Sequence, residues 1–252
     1  MIRPITILSF LLLLFFSDCK NEPKDDATIR TGMFLISEKP VNVTFKKSEE
    51  IIFSETLPYG SLNNYKKIKP GKYSFLVTSE GKEILSAEMG IAANGKYTLA
   101  IYGILQKEQT VNQTTIYTKL KNIVEGEDAI TANGALPQMR ILNDHFSSAR
   151  DKAQLRWVHL VPQRKALEAM VILNRKEKSV GRLAYPKASA VFPFDPKTKN
   201  FKVSSEEKTI DLGGASFDIN AEELVTFFVI PKVNGGIDDL QVVTGITKKS
   251  KK

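Results

Sequence analysis

The stretch Pro70-Gly71-Lys72-Tyr73-Ser74-Phe75-Leu76-Val77-Thr78-Ser79-Glu80-Gly81 decides the fold class. Tyr73 to Thr78 is rich in aromatic and β-branched residues, which suit a pleated, half-buried surface. Pro70-Gly71 before it and Glu80-Gly81 after it are turn chemistry. The same signature recurs along the chain. Asn94-Gly95 is the strongest short hairpin signal in the sequence. After it Tyr97, Leu99 and Ile101 alternate with Thr98, Ala100 and Tyr102, as in a strand with one buried face. Leu224 to Ile230 is a continuous apolar run, as in a strand buried on both faces or a short helix. Arg164 to Leu173 suits a helix or a strand equally. Strands about ten residues apart with turns between them indicate an all-β fold of antiparallel β-sandwiches.

The pattern occurs twice. At a shift of 126 residues, Ala27-Thr28-Ile29-Arg30 meets Ala153-Gln154-Leu155-Arg156, and Leu57-Pro58-Tyr59-Gly60 meets Leu183-Ala184-Tyr185-Pro186. Pro70, Phe75 and Val77 meet Pro196, Phe201 and Val203. At a shift of 128, Ile91, Ala93 and Thr98 meet Ile219, Ala221 and Thr226, a difference the size of one loop insertion. The period is too long for a solenoid. The expectation is two tandem β-sandwich domains, residues 27–148 and 149–247, each large enough to bury a core without disulfides. The junction from Ser147 to Gln154 has neither Pro nor Gly, which favours a fixed angle between them.

The N-terminus reads as an address. Arg3 is the only charge before position 18, and Ile5 to Phe16 is a 12-residue, nearly apolar run. A bilayer span needs about 20 residues, so residues 1–18 fit a secretory signal peptide. The single cysteine of the 252 residues, Cys19, follows that core directly. This is the lipoprotein pattern, in which the thiol takes a diacylglycerol and becomes the new N-terminus, with Asp18 standing where a small residue is usual. Residues 19–26 then form a lipidated flexible tether, and residues 248–252 a basic tail. The implied location is the bacterial cell envelope, including the outer membrane.

Ala153-Gln154-Leu155-Arg156-Trp157-Val158-His159-Leu160-Val161-Pro162 resembles the opening strand of a bacterial lipoprotein domain family of unknown function. Its repeats begin with an R-V-x-H-x-x-P signature and continue through Y-G, P-A-G-x-Y and G-x-x-Y-T motifs. Val41-Asn42-Val43-Thr44-Phe45, Tyr59-Gly60, Lys69-Pro70-Gly71-Lys72-Tyr73 and Gly95-Lys96-Tyr97-Thr98 stand in that order. Met139-Arg140-Ile141-Leu142-Asn143-Asp144 is similar to the strand that closes a repeat. Met33-Phe34 and Pro186 depart from the family pattern. The resemblance implies tandem Ig-like β-sandwiches on secreted or lipid-anchored proteins. It implies no activity and supplies no catalytic residues.

Composition narrows the chemistry. One cysteine excludes a disulfide framework and a Cys-based zinc site, and two histidines leave little for metal or acid–base work. His159 reads as a core histidine bonded to backbone. His145 lies beside Asp144 and Ser147-Ser148, but sequence neighbours on a strand point to opposite faces and do not make a triad. Glu125, Glu127 and Asp128, like Asp238-Asp239, read as solvated loops rather than a calcium site. No P-loop, dinucleotide fingerprint or zincin motif occurs, and neither a cofactor nor a resident metal is expected.

The formal net charge is +8. Residues 27–148 hold 14 basic and 12 acidic residues, and residues 149–252 hold 19 and 12, so the excess lies in the second copy. Arg150, Lys152, Arg164, Lys165, Arg175, Lys176 and Lys178 contribute to it. It reads as a solvated face and tail, or as attraction to an anionic envelope polymer. Nucleic acid is not an expected partner.

Tyr59, Tyr65, Tyr102 and Tyr117 are sugar-platform candidates by type. The recurrence of Tyr59 as Tyr185 favours a buried tyrosine with a bonded hydroxyl. The expected function is a non-catalytic envelope lipoprotein, a binding or scaffold module held to the membrane by its lipid, whose partner is another envelope protein or an anionic polymer. The alternative is an accessory lipoprotein that captures glycan or a small molecule in the inter-domain cleft.

Overall fold

The structure is a computed structural model that describes residues 25–105, 134–147, 149–162, 164–173, 176–198, 200–204, 209–211, 219–232 and 239–249. The apolar N-terminal run, Cys19, Tyr117, the Glu125–Asp128 cluster and Asp238 lie outside them. Among the described residues every regular element is a β-strand. The first half contains β1 (Ala27–Ile36), β2 (Val41–Lys47), β3 (Glu50–Leu57), β4 (Ser61–Leu62), β5 (Lys66–Ile68), β6 (Gly71–Ser79), β7 (Lys82–Ile91), β8 (Lys96–Ile104) and β9 (Gln138–Asn143). The second contains β10 (Ala153–His159), β11 (Leu167–Leu173), β12 (Lys176–Leu183), β13 (Phe192–Phe194), β14 (Phe201–Ser204), β15 (Thr209–Asp211), β16 (Glu223–Pro231) and β17 (Leu240–Lys248).

These strands form four sheets. An inner sheet of the first half runs β4-β1-β8-β9, with β5 also on β1, and an outer sheet runs β3-β2-β6-β7. The second half has an inner sheet β13-β10-β16-β17 and an outer sheet β12-β11-β14-β15. In both inner sheets the opening strand pairs in parallel with a later one. Arg30 lies opposite Thr98 in β1–β8, and Arg156 lies opposite Thr226 in β10–β16. The remaining ladders are antiparallel.

Burial follows the layering. The outer strand β2 alternates buried and half-buried residues, so Val41, Val43 and Phe45 point inward. They meet Ile29, Leu35, Leu99, Phe75 and Val77 in the first core. Trp157, Phe227, Phe201 and Val171 form the second core between the other pair of sheets. By contrast β10 and β16 are buried at every residue, and so is nearly all of β1. The reason is a third cluster between the inner sheets, where Phe34, Ala100, Tyr102 and Leu142 pack against Val158, Leu160, Phe228 and Ile230. The inner sheets thus lie between two apolar layers each, and the stack is four sheets deep.

Two sequence readings resolve here. Leu224 to Ile230 is a strand buried on both faces, and Leu167–Leu173 within the ambiguous segment is a strand. Two others change. Asn94-Gly95 forms a turn, with Asn94 at φ 58° and the Gly95 amide donating to Ala92 O at 3.2 Å, but it makes no hairpin. β7 belongs to the outer sheet and β8 to the inner one, so the turn carries the chain between layers. Glu80-Gly81, by contrast, does turn a hairpin, where φ of 50° and 78° matches the twist between β6 and β7. Thr98, Ala100 and Tyr102 also differ from expectation, being buried against the second half rather than facing water.

Candidate functional site: a buried polar pin between the inner sheets

The seam between the inner sheets carries the densest set of buried polar side chains among the described residues. Arg30, Thr98, Asp144, Arg156, Thr226 and Thr247 are each at most 5% exposed. Their chemistry follows from strand register. Arg30 sits mid-strand on β1 with its side chain on the seam face, and its Nε donates to Thr98 Oγ1 at 2.8 Å on the neighbouring strand. Arg156 does the same on β10, where Nη2 donates to Thr226 Oγ1 at 2.9 Å.

Each guanidinium then crosses the seam. Arg30 Nη1 donates to Ile246 O at 3.1 Å, and Arg156 Nη1 donates to Asn143 O at 2.8 Å. Asp144, fully buried, joins the two. One oxygen pairs with Arg156 Nη2. The other accepts from Thr98 Oγ1 at 2.5 Å and from Tyr65 Oη at 2.7 Å, and lies 4.0 Å from Arg30 Nη2. Tyr65 Oη lies 2.6 Å from Thr247 Oγ1, which accepts from Arg30 Nη2 at 3.3 Å. The Tyr65 ring has Arg30 Cζ 4.5 Å and Lys96 Nζ 4.7 Å from its centre.

The electrostatics follow from burial. Desolvation lowers the Arg30 pKa, against the raising effects of Tyr65 and Asp144. Burial, then Asp144, drives the Tyr65 hydroxyl far above its ordinary range, so it stays protonated and donates. Burial and the Arg30 charge lower Lys96. Two guanidiniums share one carboxylate, and carbonyls and hydroxyls satisfy most of their remaining donors, as buried charge requires. Arg30, Asp144 and Arg156 are thereby held away from water, with Asp144 and Arg156 bonded to one another across the seam.

An apolar stack lies beside the pin. Phe34 and Phe228 come from opposite halves, with centroids 4.7 Å apart and planes at 26°. Further along the seam Tyr59 Oη donates to Pro231 O at 2.8 Å, and Arg140 Nη1 donates to Pro186 O at 2.9 Å. Tyr59 therefore has the bonded hydroxyl expected of it. Tyr185 is buried, but its hydroxyl has no hydrogen-bond partner among the described residues.

Of the described tyrosines singled out for sugar, Tyr65 and Tyr102 lie in the seam among packed and ion-paired side chains, and Tyr59 bonds across it to Pro231 O. His159 is fully buried; its Nε2–H donates to Lys165 O at 3.2 Å, and Nδ1 accepts from the Val161 amide at 3.2 Å. Burial drops its pKa to about 4. It is the backbone-bonded core histidine expected. His145 is exposed, its amide bonded to Asn143 Oδ1 at 2.9 Å, while Asp144 points the opposite way into the pin. Asp144 and His145 therefore do not share a site. Among the described residues no group of three His, Cys, Asp or Glu could hold a metal ion. No described helix is long and apolar enough to cross a membrane.

The pin residues were not singled out as a site by sequence. The usable signal was the coincidence of Arg30 with Arg156 and of Thr98 with Thr226, a charged residue set twice into otherwise apolar strands.

No family model matches the chain, and no curated protein matches it. Solved structures give distant likenesses. The tip fimbrial protein Mfa3 of Porphyromonas gingivalis matches at 9% identity and a TM-score of 0.26, over 89% of this chain and 99% of that one. A candidate cell adhesion protein of Bacteroides ovatus matches at 7% and 0.26, over 90% and 98%. The CBMbc module (family CBM26) of Eubacterium rectale Amy13K, solved with maltoheptaose, matches at 10% and 0.23, over 90% and 98%. At this overlap none of them fixes a function for the chain.

Proposed function

We propose that the chain is an exported, non-catalytic lipoprotein of the bacterial cell envelope, anchored through Cys19, in which two tandem Ig-like β-sandwich domains act as a rigid binding or scaffold module. The observation that carries the reading is the seam. Arg30 reaches Ile246 O and Thr247 of the second half, Arg156 reaches Asn143 O and Asp144 of the first, and Phe34 stacks on Phe228 beside them. A flexible two-domain receptor would not bury charge at its hinge. Inter-domain surfaces are usually polar and mobile, whereas this one resembles a protein interior. The module holds its two outer sheets at a fixed distance and orientation, as a scaffold requires. The signal-peptide core before Cys19 and the family-like order of motifs support the envelope location.

The test is intact mass and membrane fractionation of the native protein beside a Cys19→Ser variant, with cross-linking in intact cells on both samples. The reading expects an acylated Cys19 in the native chain, loss of the membrane fraction in the variant, and a defined cross-linked envelope partner in the native sample only. Soluble behaviour of both chains would remove the anchor. Turnover of envelope substrates by the purified chain would remove the non-catalytic role.

A further inference from the structure

The strand ends gather several features at one pole of the molecule. The described chain enters there, at Asp25 and Asp26, and Lys69 pairs with Asp26 at 3.3 Å. Lys47, at the end of β2, donates from Nζ to Pro70 O at 3.2 Å, which places the β2–β3 hairpin turn at the same pole. The Thr28 amide donates to Gly95 O at 2.8 Å, and Lys96 Nζ donates to Lys248 O at 2.9 Å. The chain's exit at Lys248-Lys249 is therefore also here, and the sequence continues into Lys251 and Lys252. The Glu222 amide donates to Lys152 O at 2.8 Å and so joins the second half's opening turn to this surface.

On the hairpin two large apolar side chains stand out in solvent. Ile51 is 58% exposed and Ile52 36%. Adjacent exposed isoleucines beside lysines have the composition of an interfacial contact, an apolar insert ringed by cations. The acidic groups at this pole are largely neutralised by neighbours. Asp26 pairs with Lys69, Glu88 with Lys72, Asp151 with Lys152 and Glu222 with Lys249, while Asp25 accepts from Asn94 Nδ2 at 2.9 Å and the turn residues Glu49 and Glu50 follow Lys46 and Lys47 in sequence. The stretch from Cys19 to Asp25 spans at most ~20 Å when fully extended. A lipid at Cys19 would hold this pole, and no other, within reach of a bilayer.

We propose that this pole rests against an anionic bilayer surface, with Ile51 and Ile52 entering the headgroup layer and the surrounding lysines meeting lipid phosphates. It rests on the lipoprotein reading and adds to it which surface of the body touches lipid. The experiment is vesicle flotation of the unlipidated Cys19→Ser chain, signal peptide removed, at low salt. Vesicles of phosphatidylglycerol and phosphatidylcholine should carry it, and vesicles of phosphatidylcholine alone should not. The pairs Lys46→Glu/Lys47→Glu and Ile51→Ser/Ile52→Ser should each weaken binding more than about tenfold. Lys82→Glu, on the β6–β7 turn at the opposite pole, should leave it unchanged, and thermal melts of all variants should match. Failure of the unlipidated chain to float, or equal loss with Lys82→Glu, overturns the proposal. The two readings fail separately. An unacylated native chain with flotation intact removes the anchor and keeps the surface; an acylated native chain whose unlipidated form never floats does the reverse.

Discussion

Asp144 and Thr247 occupy the same place in the two halves. Thr98 pairs in register with Leu142 and Thr226 with Gly245, and Asp144 and Thr247 each lie two residues beyond those partners. Each meets the arginine of the opposite half, Arg156 at Asp144 and Arg30 at Thr247. The seam is therefore symmetric in its cations and asymmetric in its anion. Asp144→Asn leaves two guanidiniums buried with no carboxylate. It should destabilise the protein by about 3–5 kcal/mol, the cost of an uncompensated buried charge. Urea denaturation would check this through the midpoint. An unchanged midpoint would mean that water reaches the pin.

The same comparison separates two tyrosines. Tyr59 Oη donates across the seam to Pro231 O, whereas the buried Tyr185 hydroxyl has no partner among the described residues. Tyr59→Phe should cost about 1 kcal/mol, the net worth of a hydrogen bond plus the orphaned carbonyl. Tyr185→Phe removes a desolvated hydroxyl with no partner among the described residues, and should be neutral or slightly stabilising. Paired thermal melts of the two variants decide it, and equal losses would defeat the distinction.

These contrasts show what the chain made readable. Tyr73 to Thr78 and Val41 to Phe45 alternate because one face of the outer sheet meets water; the first was legible from its β-branched and aromatic content between turn signals, the second from its place in the family-like order of motifs. Asn94-Gly95 misled because turn chemistry reports a local backbone shape and says nothing of whether the flanking strands share a sheet. Thr98 and Tyr102 misled because a polar or amphipathic side chain on an alternating strand is read as facing solvent. Here the solvent face of the first half is the interior of the whole molecule. Arg30 and Arg156 were visible as matching anchors, but that they reach past their own half of the chain depends on the packing of the inner sheets.

Gly245 lies opposite Thr226 on β17 and faces Arg30 and Leu62 of the first half. A Cβ built there would stand 2.7 Å from Arg30 Nη2 and 2.8 Å from Leu62 Cδ2. Gly245→Val should therefore push β17 from the pin and destabilise by roughly 1–3 kcal/mol, as overpacking does in a filled interior. Gly90, with open space around its position, is the control, and Gly90→Ala should change little. Hydrogen exchange would locate the effect, with faster exchange expected at the amides of β17 in the Gly245 variant alone. Uniform loss across all four sheets would instead indicate a general folding defect.

His159 sets a pH dependence whose sign follows from its burial. Its folded pKa is about 4, below the ordinary value of 6.5, because desolvation disfavours the imidazolium. The unfolded chain thus takes up the proton first as pH falls. The contribution is fully present above about pH 6.5 and is lost progressively as pH drops toward 4, amounting to about 3 kcal/mol over that window. His159→Gln offers an amide that does not titrate and can still donate toward Lys165 O. It should be less stable than the wild type at neutral pH, but its unfolding free energy should fall less steeply between pH 6.5 and 4. Urea unfolding measured at intervals across the window gives both slopes. Parallel slopes would show that groups other than His159 govern the acid limb.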